Sequence, residues 1–103
     1  MKRGELWWAL VDKRRPVVLV SREEAYDVRA MVITAPVSST IRGFAVEVKV
    51  GRREGLRKAS VVNCDWLVTL PKRLLESRIG TLSGDKLAQL DDALRFALGL
   101  ETI

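Results

Sequence analysis

Two adjacent arginines before a proline are the first residues of this sequence that could do chemistry. Arg14 and Arg15 directly precede Pro16, which fixes its own φ and biases the residue before it toward an extended conformation. A guanidinium held at a junction between a loop and a strand can bind a phosphate through two parallel hydrogen bonds. The same run is also typical of a solvated basic hairpin tip, and its spacing alone favours that simpler interpretation.

Three consecutive hydroxyls, at Ser38, Ser39 and Thr40, form a second candidate cluster. They come shortly after Pro36, at the end of the third predicted strand, and such side chains commonly satisfy the backbone of a turn. Alternatively, Ser38 or Ser39 donates a hydrogen bond to a phosphoryl oxygen or orients a nucleophile. The local sequence leaves both interpretations open.

A basic loop presents the same choice between binding and structure. Residues 51–58 (GRREGLRK) hold four basic side chains, with Arg52 and Arg53 among them, opposed only by Glu54. Such a loop can hold a nucleic-acid backbone by counterion release, although charge runs are more often solvated connections.

Three tryptophans, Trp7, Trp8 and Trp66, are candidates either for the core or for stacking on bases. The adjacent Trp7 and Trp8 must face opposite sides of a strand. We therefore expect one of them in the core and the other exposed, available for base stacking or for a subunit interface.

The composition excludes several classes of enzyme site. The sequence has no histidine, which excludes Ser/His and Cys/His catalytic pairs and a histidine-built metal site. The single cysteine, Cys64, excludes an intrachain disulfide and a multi-cysteine zinc site, and favours a reducing, cytoplasmic compartment. Adjacent carboxylates occur only at Glu23-Glu24 and Asp91-Asp92, and neither pair predicts a metal site. We expect no metal and no other cofactor.

Length and charge narrow the possibilities further. A chain of 103 residues is predicted to form one domain, residues 1–103. Its longest apolar run, Leu6 to Val11, is far shorter than the roughly 20 residues of a membrane span, so we expect no membrane segment. The net charge is +5, and 16 of the 18 basic but nine of the 13 acidic side chains lie in residues 1–80. A polyanion is therefore expected to bind this part of the chain.

Periodicity predicts a mainly β protein of the α+β class with a C-terminal helix. Short runs rich in β-branched and aromatic residues predict strands at residues 5–11, 16–21, 28–35, 44–50 and 60–64. After Gly80 the apolar residues change to helical spacing, with Ser83 as the N-cap and Gly99 at the far end. Five or six strands at this spacing predict a small antiparallel barrel or half-barrel against which the helix packs.

Taken in order, several short segments resemble the MazF/PemK family of toxins. They are the segments 3–8 (RGELWW), 14–21 (RRPVVLVS), 35–39 (APVSS), 43–48 (GFAVEV), 78–83 (RIGTLS) and 90–94 (LDDAL). The resemblance implies a small SH3-like barrel of the kind shared by MazF-like and CcdB-like toxins, assembled as a homodimer. It also implies a metal-independent endoribonuclease that cuts single-stranded RNA at short sequences and stops protein synthesis. A cognate, MazE-like antitoxin with an acidic, flexible segment would keep it silent.

The same resemblance implies the catalytic residues. The arginine before the proline corresponds to Arg15, and the hydroxyl at the end of the third strand corresponds to Ser38, where many relatives have threonine. In such enzymes the RNA 2′-hydroxyl attacks the adjacent phosphorus and leaves a 2′,3′-cyclic phosphate. With a pKa above about 12, an arginine is a poor proton donor near neutral pH, so we expect Arg15 to act electrostatically and Ser38 to donate a hydrogen bond. The general base is unassigned: a carboxylate, a water or the substrate itself could serve.

The predicted RNA-binding residues surround this pair and include positions that depart from the family pattern. They are Arg14, Ser39, Arg52, Arg53, Trp66 and Thr69. The connection between the first two strands is shorter than in many relatives and lacks their Gly-Ser-Glu-Gln stretch. After the fifth predicted strand, Trp66, Val68 and Pro71 replace a glutamine, an arginine and an aspartate of the family, which predicts an altered base preference.

Two other functions remain open at this point. One is a toxin that binds and inhibits a protein such as DNA gyrase, as CcdB-like proteins of the same fold do. The other is a catalytically inactive barrel that binds RNA or the antitoxin, which the replaced residues at Trp66, Val68 and Pro71 would favour.

Overall fold

Seven strands, one short helix and one long helix form the described part of the chain, residues 1–100 of this computed structural model. The strands are β1 (Glu5–Leu10), β2 (Arg14–Leu19), β3 (Met31–Ser38), β4 (Glu47–Val50), β5 (Ser60–Asn63), β6 (Val68–Pro71) and β7 (Leu75–Thr81). The α-helices are α1 (Ala25–Val28) and α2 (Gly84–Leu98), and two single-turn 3₁₀ helices cover Arg52–Glu54 and Lys72–Leu74. All strand pairs are antiparallel, which confirms the mainly β class with a C-terminal helix.

β3 organises the sheet because both of its edges are paired. One edge pairs with β2, from Val17↔Pro36 to Leu19↔Thr34. The other edge is shared, since β6 pairs with residues 31–34 and β5 with residues 37–38. The order β4-β5-β3-β2-β1-β7, with β6 also on β3, forms a half-barrel.

Alternation along the central strands divides the apolar side chains between two cores. We call the side of the sheet that contacts α2 the helix face, and its core includes Leu6, Val18, Ala35 and Leu90. We call the opposite side the far face, and its core includes Ala9, Val17, Leu19, Val32, Leu70 and Leu75. Successive residues of β2 therefore contribute to different cores, as the two-residue period of a strand requires.

The C-terminal helix begins and ends where the sequence predicts. The Ser83 side chain accepts a hydrogen bond from the Lys86 backbone N–H at 3.2 Å, and Gly99 ends α2 in the left-handed region at φ 67°. Leu90 and Ala93 are buried against the sheet. Asp91 also accepts a hydrogen bond from Arg3 at 2.7 Å, which ties the helix to the start of the chain.

The third and fourth predicted strands are wrong at their N-terminal ends. Residues 25–28 form α1, where the buried Tyr26 hydroxyl donates to the Ser21 carbonyl at 2.9 Å, so β3 runs over 31–38 rather than 28–35. Phe44 begins the strand predicted over 44–50 but lies outside β4 and is 60% exposed. The Glu47 carboxylate accepts from the Gly43 N–H at 2.8 Å, which holds a turn before β4.

The last two strands, β6 and β7, are absent from the five predicted runs. β7 carries exposed polar residues, Glu76, Ser77 and Arg78, because it pairs only with β1, and a charged edge strand lacks a clear apolar period. At the other strands the predicted bounds differ by one or two residues: β1 ends at Leu10, β2 covers 14–19 and β5 ends at Asn63.

Candidate functional site

The two arginines of the first candidate motif are the first two residues of β2, so they face opposite sides of the sheet. Arg14 pairs with Leu10 and Arg15 with Ala9 of β1. Ala9 belongs to the far-face core, which places Arg15 on the far face and Arg14 on the helix face. The motif therefore lies at the junction between the hairpin loop and β2, although β2 begins two residues earlier than predicted.

Arg15 is held by a carboxylate from its own hairpin loop. Its Nε and Nη2 donate to the two oxygens of Asp12 at 2.9 and 3.1 Å. This hydrogen-bonded pair holds the pKa of the Asp12 carboxyl well below its usual range and raises the pKa of Arg15. Both side chains are exposed, and among residues 1–100 no partner engages the Nη1 edge of Arg15. That edge of a permanently charged guanidinium is available to a phosphate.

Ser38 is the last residue of β3 and shares the far face with Arg15. The pairing of β2 with β3 ends at Val17↔Pro36, and the same register continued by two residues would set Arg15 opposite Ser38. The Ser38 Oγ accepts from the Thr40 N–H at 3.1 Å. The Ser38 oxygen therefore satisfies the backbone of a turn, as one of the two interpretations predicted. Its hydroxyl hydrogen is still available to donate.

A groove opens on the helix face at the same end of β2. We call it the basic groove; it has a volume of about 700 Å³ and is lined by Trp8, Arg14, Pro16, Val37, Ser39, Gly55, Leu56, Arg57, Lys58 and Ser60. Arg14 and Ser39 line it together, as do Pro16 and Val37, which supports the continued register. The predicted residues Arg14 and Ser39 thus share the groove, whereas Arg15 and Ser38 do not line it.

Arg14 reaches the groove wall through several long contacts. Its guanidinium carbon lies 4.4 Å from the centre of the Trp8 ring, within the range of a cation–π contact. Its Nε lies 3.3 Å from a Glu76 oxygen, and its Nη2 lies 3.4 Å from the Ser77 Oγ. These exposed, long hydrogen bonds are weak, so Arg14 is oriented without being neutralised.

The basic loop 51–58 is divided between two surfaces. Arg57 and Lys58 line the basic groove, whereas Arg52 and Arg53 lie at a shallower depression that also involves Lys49 and Lys86. A buried Glu54 separates the halves, and its carboxylate accepts from the Gly51 N–H at 2.7 Å. The sequence shows one basic loop, and only the fold separates its cations.

A close approach of backbones fixes this loop in place. A Cβ on Gly80 of β7 would collide with the Glu54 carbonyl, and one on Gly55 would lie 2.6 Å from the Ile79 carbonyl. Gly55 also has φ 96°, a conformation that other residues rarely adopt. Two glycines therefore allow the loop to pack against β7.

The tryptophans only partly follow the prediction. Trp7 and Trp8 face opposite sides, as expected, but both are half-buried. Trp7 packs against the far-face core and its Nε1 donates to Glu5 at 3.0 Å, while Trp8 lines the basic groove. Trp66 is 69% exposed and Thr69 is exposed on β6, and neither lines the groove.

Sequence reasoning did not single out Trp8, Arg57 and Lys58 as neighbours of Arg14. The contact between Trp8 and Arg14 could have been found from the sequence. Leu10 and Arg14 close a short hairpin, and this pairing sets Trp8 opposite Pro16. No comparable signal existed for Arg57 and Lys58, which reach the groove through tertiary packing.

Two further groups lie outside the site. Burial raises the pKa of the Cys64 thiol to about 11, so it is not a reactive nucleophile at neutral pH. Among the residues that the structure describes, no helix is long and apolar enough to cross a membrane.

The sequence pattern of a known family matches almost the whole chain. Residues 2–98 match the PemK-like, MazF-like toxin of type II toxin-antitoxin systems. The chain belongs to this family. Among the relatives of the chain, the endoribonuclease MazF3 of Mycobacterium tuberculosis is 37% identical over 95 residues, which cover 92% of each protein.

Solved structures of MazF proteins have the same fold as this member of the family. The Mycobacterium tuberculosis toxin MazF-mt6 superposes with a TM-score of 0.91 at 36% identity, over 95% of this chain and 99% of that one. An endoribonuclease from a mycobacterial species, solved in complex with its cognate antitoxin, superposes with a TM-score of 0.90 at 26% identity, over 100% of this chain and 99% of that one. The family resemblance inferred from the sequence motifs is thereby confirmed.

Proposed function

We propose that this chain is the toxin of a type II toxin-antitoxin system and acts as an endoribonuclease on single-stranded RNA. The observation that carries the proposal is the placement of Arg15 and Ser38 on one face, at the open end of β2 and β3, in a member of the MazF-like family. Relatives with more than 30% identity are named endoribonucleases, which supports the reaction class.

In the proposed reaction the 2′-oxygen of the RNA bonds to the adjacent phosphorus and the bond from phosphorus to the 5′-oxygen breaks. The 2′-hydroxyl loses a proton, the 5′-oxygen gains one, and a 2′,3′-cyclic phosphate remains. Arg15 stabilises the charge on the phosphorane through its free edge, and Ser38 donates a hydrogen bond to a phosphoryl oxygen. The nucleophile belongs to the substrate, so the reaction needs no nucleophilic side chain from the protein.

The general base stays unassigned. Asp12 is the carboxylate in direct contact with Arg15, at 2.9 Å. Because the hydrogen bonds from Arg15 hold the Asp12 pKa below its usual range, this carboxylate accepts a proton poorly near neutral pH. A carboxylate, a water and the substrate itself all stay open as the base.

The remaining predicted residues extend the RNA-binding surface. Arg14 and Ser39 contact the strand in the basic groove, and Arg52 and Arg53 attract it at longer range from the second depression. Trp66 and Thr69 lie outside the groove and would contact only bases further along the strand.

The proposed assembly is a homodimer controlled by an acidic antitoxin. The mycobacterial relative was solved with its cognate antitoxin, and MazF of Deinococcus radiodurans was solved with MazE. The net charge of +5 on this chain suits an acidic partner. We further propose that residues 1–103 act as one toxin domain in the cytoplasm.

The decisive experiment is cleavage of total RNA by the purified protein in the presence of EDTA. We expect cleavage to persist and to leave 2′,3′-cyclic phosphate ends. Arg15→Ala should reduce cleavage by about two to three orders of magnitude while circular dichroism shows a folded protein. Cleavage that requires added metal, or an Arg15→Ala protein as active as the parent, would contradict the proposal. RNA binding without cleavage at any enzyme concentration would instead identify an inactive RNA-binding barrel.

A further inference from the structure

We propose that the second depression binds the phosphate backbone of an RNA duplex, so that favoured substrates carry a base-paired stem beside the single-stranded cleavage site. The depression has a volume of about 370 Å³, and the cations that line it are Lys49, Arg52, Arg53 and Lys86. It shares no lining residue with the basic groove, and neither Arg15 nor Ser38 lines it. The inference rests on the proposed RNA cleavage and adds a class of substrate to it.

Four cations from three elements converge on the second depression. Lys49 belongs to β4, Arg52 and Arg53 belong to the 3₁₀ turn that follows it, and Lys86 lies in the first turn of α2. Among residues 1–100, none of these four side chains forms an ion pair. Cations without an internal partner release their counterions when they neutralise phosphates, which favours a polyanionic ligand.

The acidic side chains nearest to these cations in the sequence are turned elsewhere. Glu54 lines the depression, but it is 5% exposed and its carboxylate accepts from the Gly51 N–H at 2.7 Å. The Glu47 carboxylate accepts from the Gly43 N–H at 2.8 Å, in the turn before β4. Asp85 is exposed in the first turn of α2 and does not line the depression. The protein itself therefore offsets only part of the positive charge.

The 3₁₀ turn that carries two of the cations is fixed before any ligand binds. The Gly55 N–H donates to the Arg52 carbonyl, and the Glu54 N–H donates to the Gly51 carbonyl, both at 3.1 Å. The turn also packs against β7, where a Cβ on Gly80 would collide with the Glu54 carbonyl. A preorganised backbone loses little conformational freedom on binding, which favours a ligand of fixed shape.

The surface of the depression suits phosphates and offers nothing on which a base could stack. Within the described residues, no aromatic side chain lines it, and the one apolar side chain that does, Val50, is 6% exposed. Sites for single-stranded RNA combine cations with aromatic side chains that stack on unpaired bases. In a duplex the bases stack on one another, and proteins contact the phosphates and 2′-hydroxyls. A shallow cationic surface therefore fits a stem better than it fits a single strand.

An acidic peptide fits the depression less well than a duplex does. Carboxylates would satisfy the cations, but protein interfaces are also anchored by apolar or aromatic side chains in well-packed pockets. The buried Val50 leaves the depression without an exposed apolar floor for such an anchor. A ligand that presents only regularly spaced negative charges matches the depression more completely.

The size of the molecule also suits a short stem. The Cα atoms extend 33 Å along the longest axis of the chain. About ten base pairs, at roughly 3 Å each, span that length. A stem of this size can therefore contact the second depression while its single-stranded loop lies at another part of the same chain.

The first test measures binding of a duplex that has no single-stranded part. The probe is a fluorescein-labelled RNA duplex of mixed sequence and about 12 base pairs, and its anisotropy reports affinity. For Arg52→Ala/Arg53→Ala we expect about tenfold weaker binding at about 0.15 M salt, with the slope of log K against log salt reduced by about two. Arg52→Lys/Arg53→Lys keeps both charges and should bind within about threefold of the parent.

A charge-matched control separates a site from general attraction. Arg22→Ala/Arg29→Ala removes the same charge from exposed positions outside the depression, and it should change duplex affinity by less than about twofold. All four substituted arginines are exposed, and thermal melting of each variant shows whether the fold is kept.

The second test compares cleavage of one target sequence in two contexts. A segment that the parent cleaves in total RNA is presented as a linear RNA and as the loop of a hairpin with a stem of about ten base pairs. For the hairpin, Arg52→Ala/Arg53→Ala should raise KM about tenfold and keep kcat within about twofold. For the linear RNA, the same variant should raise KM by less than about threefold.

Three outcomes would overturn the stem site. In the first, the depression variant and its charge-matched control weaken duplex binding equally; in the second, the hairpin and the linear RNA are affected equally. In the third, the depression variant keeps its affinity for duplex RNA but loses binding of a labelled poly-glutamate peptide or of a DNA duplex, which would assign the depression to that polyanion. Duplex binding needs no cleavage, so an inactive parent contradicts the proposed function alone.

Discussion

The two faces of the sheet at the start of β2 carry arginines in different environments. On the far face, Arg15 is bound at 2.9 and 3.1 Å by Asp12, three residues earlier in the same hairpin. On the helix face, Arg14 lies over Trp8 of β1 and makes only long contacts to Glu76 and Ser77 of β7. One arginine is oriented by local sequence and the other by three strands.

This difference suggests that Arg15 acts in catalysis and that Arg14 acts in binding. A guanidinium fixed by a bidentate carboxylate presents one defined edge, which suits stabilisation of a transition state. A guanidinium over an aromatic ring, in a groove with two more cations, suits retention of a flexible strand. The predictions below test this division.

The largest effect is expected for Arg15→Ala. Removal of the charge that stabilises the phosphorane should lower kcat by about two to three orders of magnitude, with little change in the melting temperature because the side chain is exposed. Single-turnover cleavage of a defined RNA measures it. Arg15→Lys keeps the charge but loses the planar fork, and it should recover only part of the rate. Equal losses from Arg14→Ala and Arg15→Ala would remove the distinction between the faces.

A smaller loss of kcat is expected for Ser38→Ala. Loss of one hydrogen-bond donor to the phosphoryl group should reduce kcat about tenfold, and Ser38→Thr, which keeps the hydroxyl, should restore it. The matched comparison is Ser39→Ala on the helix face. If Ser39→Ala lowers kcat more than Ser38→Ala does, the assignment of chemistry to the far face is wrong.

Arg14→Gln should affect binding and leave chemistry nearly unchanged. We expect KM to rise about three- to tenfold while kcat stays within about twofold, because the side chain lies in the basic groove away from Ser38. Steady-state kinetics separates the two parameters. A loss confined to kcat would place Arg14 in the catalytic step.

The variant Arg52→Ala/Arg53→Ala should weaken binding of single-stranded RNA less than Arg14→Gln does. These cations lie at the second depression, so their attraction acts at longer range and is screened by salt. We expect RNA affinity to fall by about twofold to threefold at low salt and to approach the parental value as salt rises. A salt-resistant, tenfold loss would show a direct contact.

The smallest effect is expected from titration of Asp12. Its pKa is lowered in the folded protein, so the ion pair with Arg15 is complete above the ordinary aspartate pKa and is lost only as the pH falls through the lowered value. The rate profile between about pH 5 and 8 should therefore have the same shape in the parent and in Asp12→Asn. A step that is present in the parent and absent from Asp12→Asn would identify Asp12 as the general base.

Local signals in the sequence predicted several parts of the fold correctly. Ser83 and Gly99 define α2 because capping depends on residues only a few positions away. Gly4 is a family-motif residue with a structural reason, since its φ is 89° and a Cβ there would lie 3.1 Å from Leu87. β6 and β7 were missed because a strand of four residues that ends in proline and a charged edge strand are stabilised by their neighbours rather than by their own period.

The sequence by itself determined the family and a second strand next to the arginine–proline motif, because motif order and strand composition are local properties. The structure extends that strand back over Arg14 and Arg15, which places the two arginines on opposite faces. Only the tertiary structure decided which face bears the groove and which cations reach it. The packing of Glu54 and Gly55 against β7 directs Arg57 and Lys58 toward Trp8, and Arg52 and Arg53 toward Lys86. The physical reason is that this division depends on a close backbone contact between segments about 25 residues apart, which no local pattern encodes.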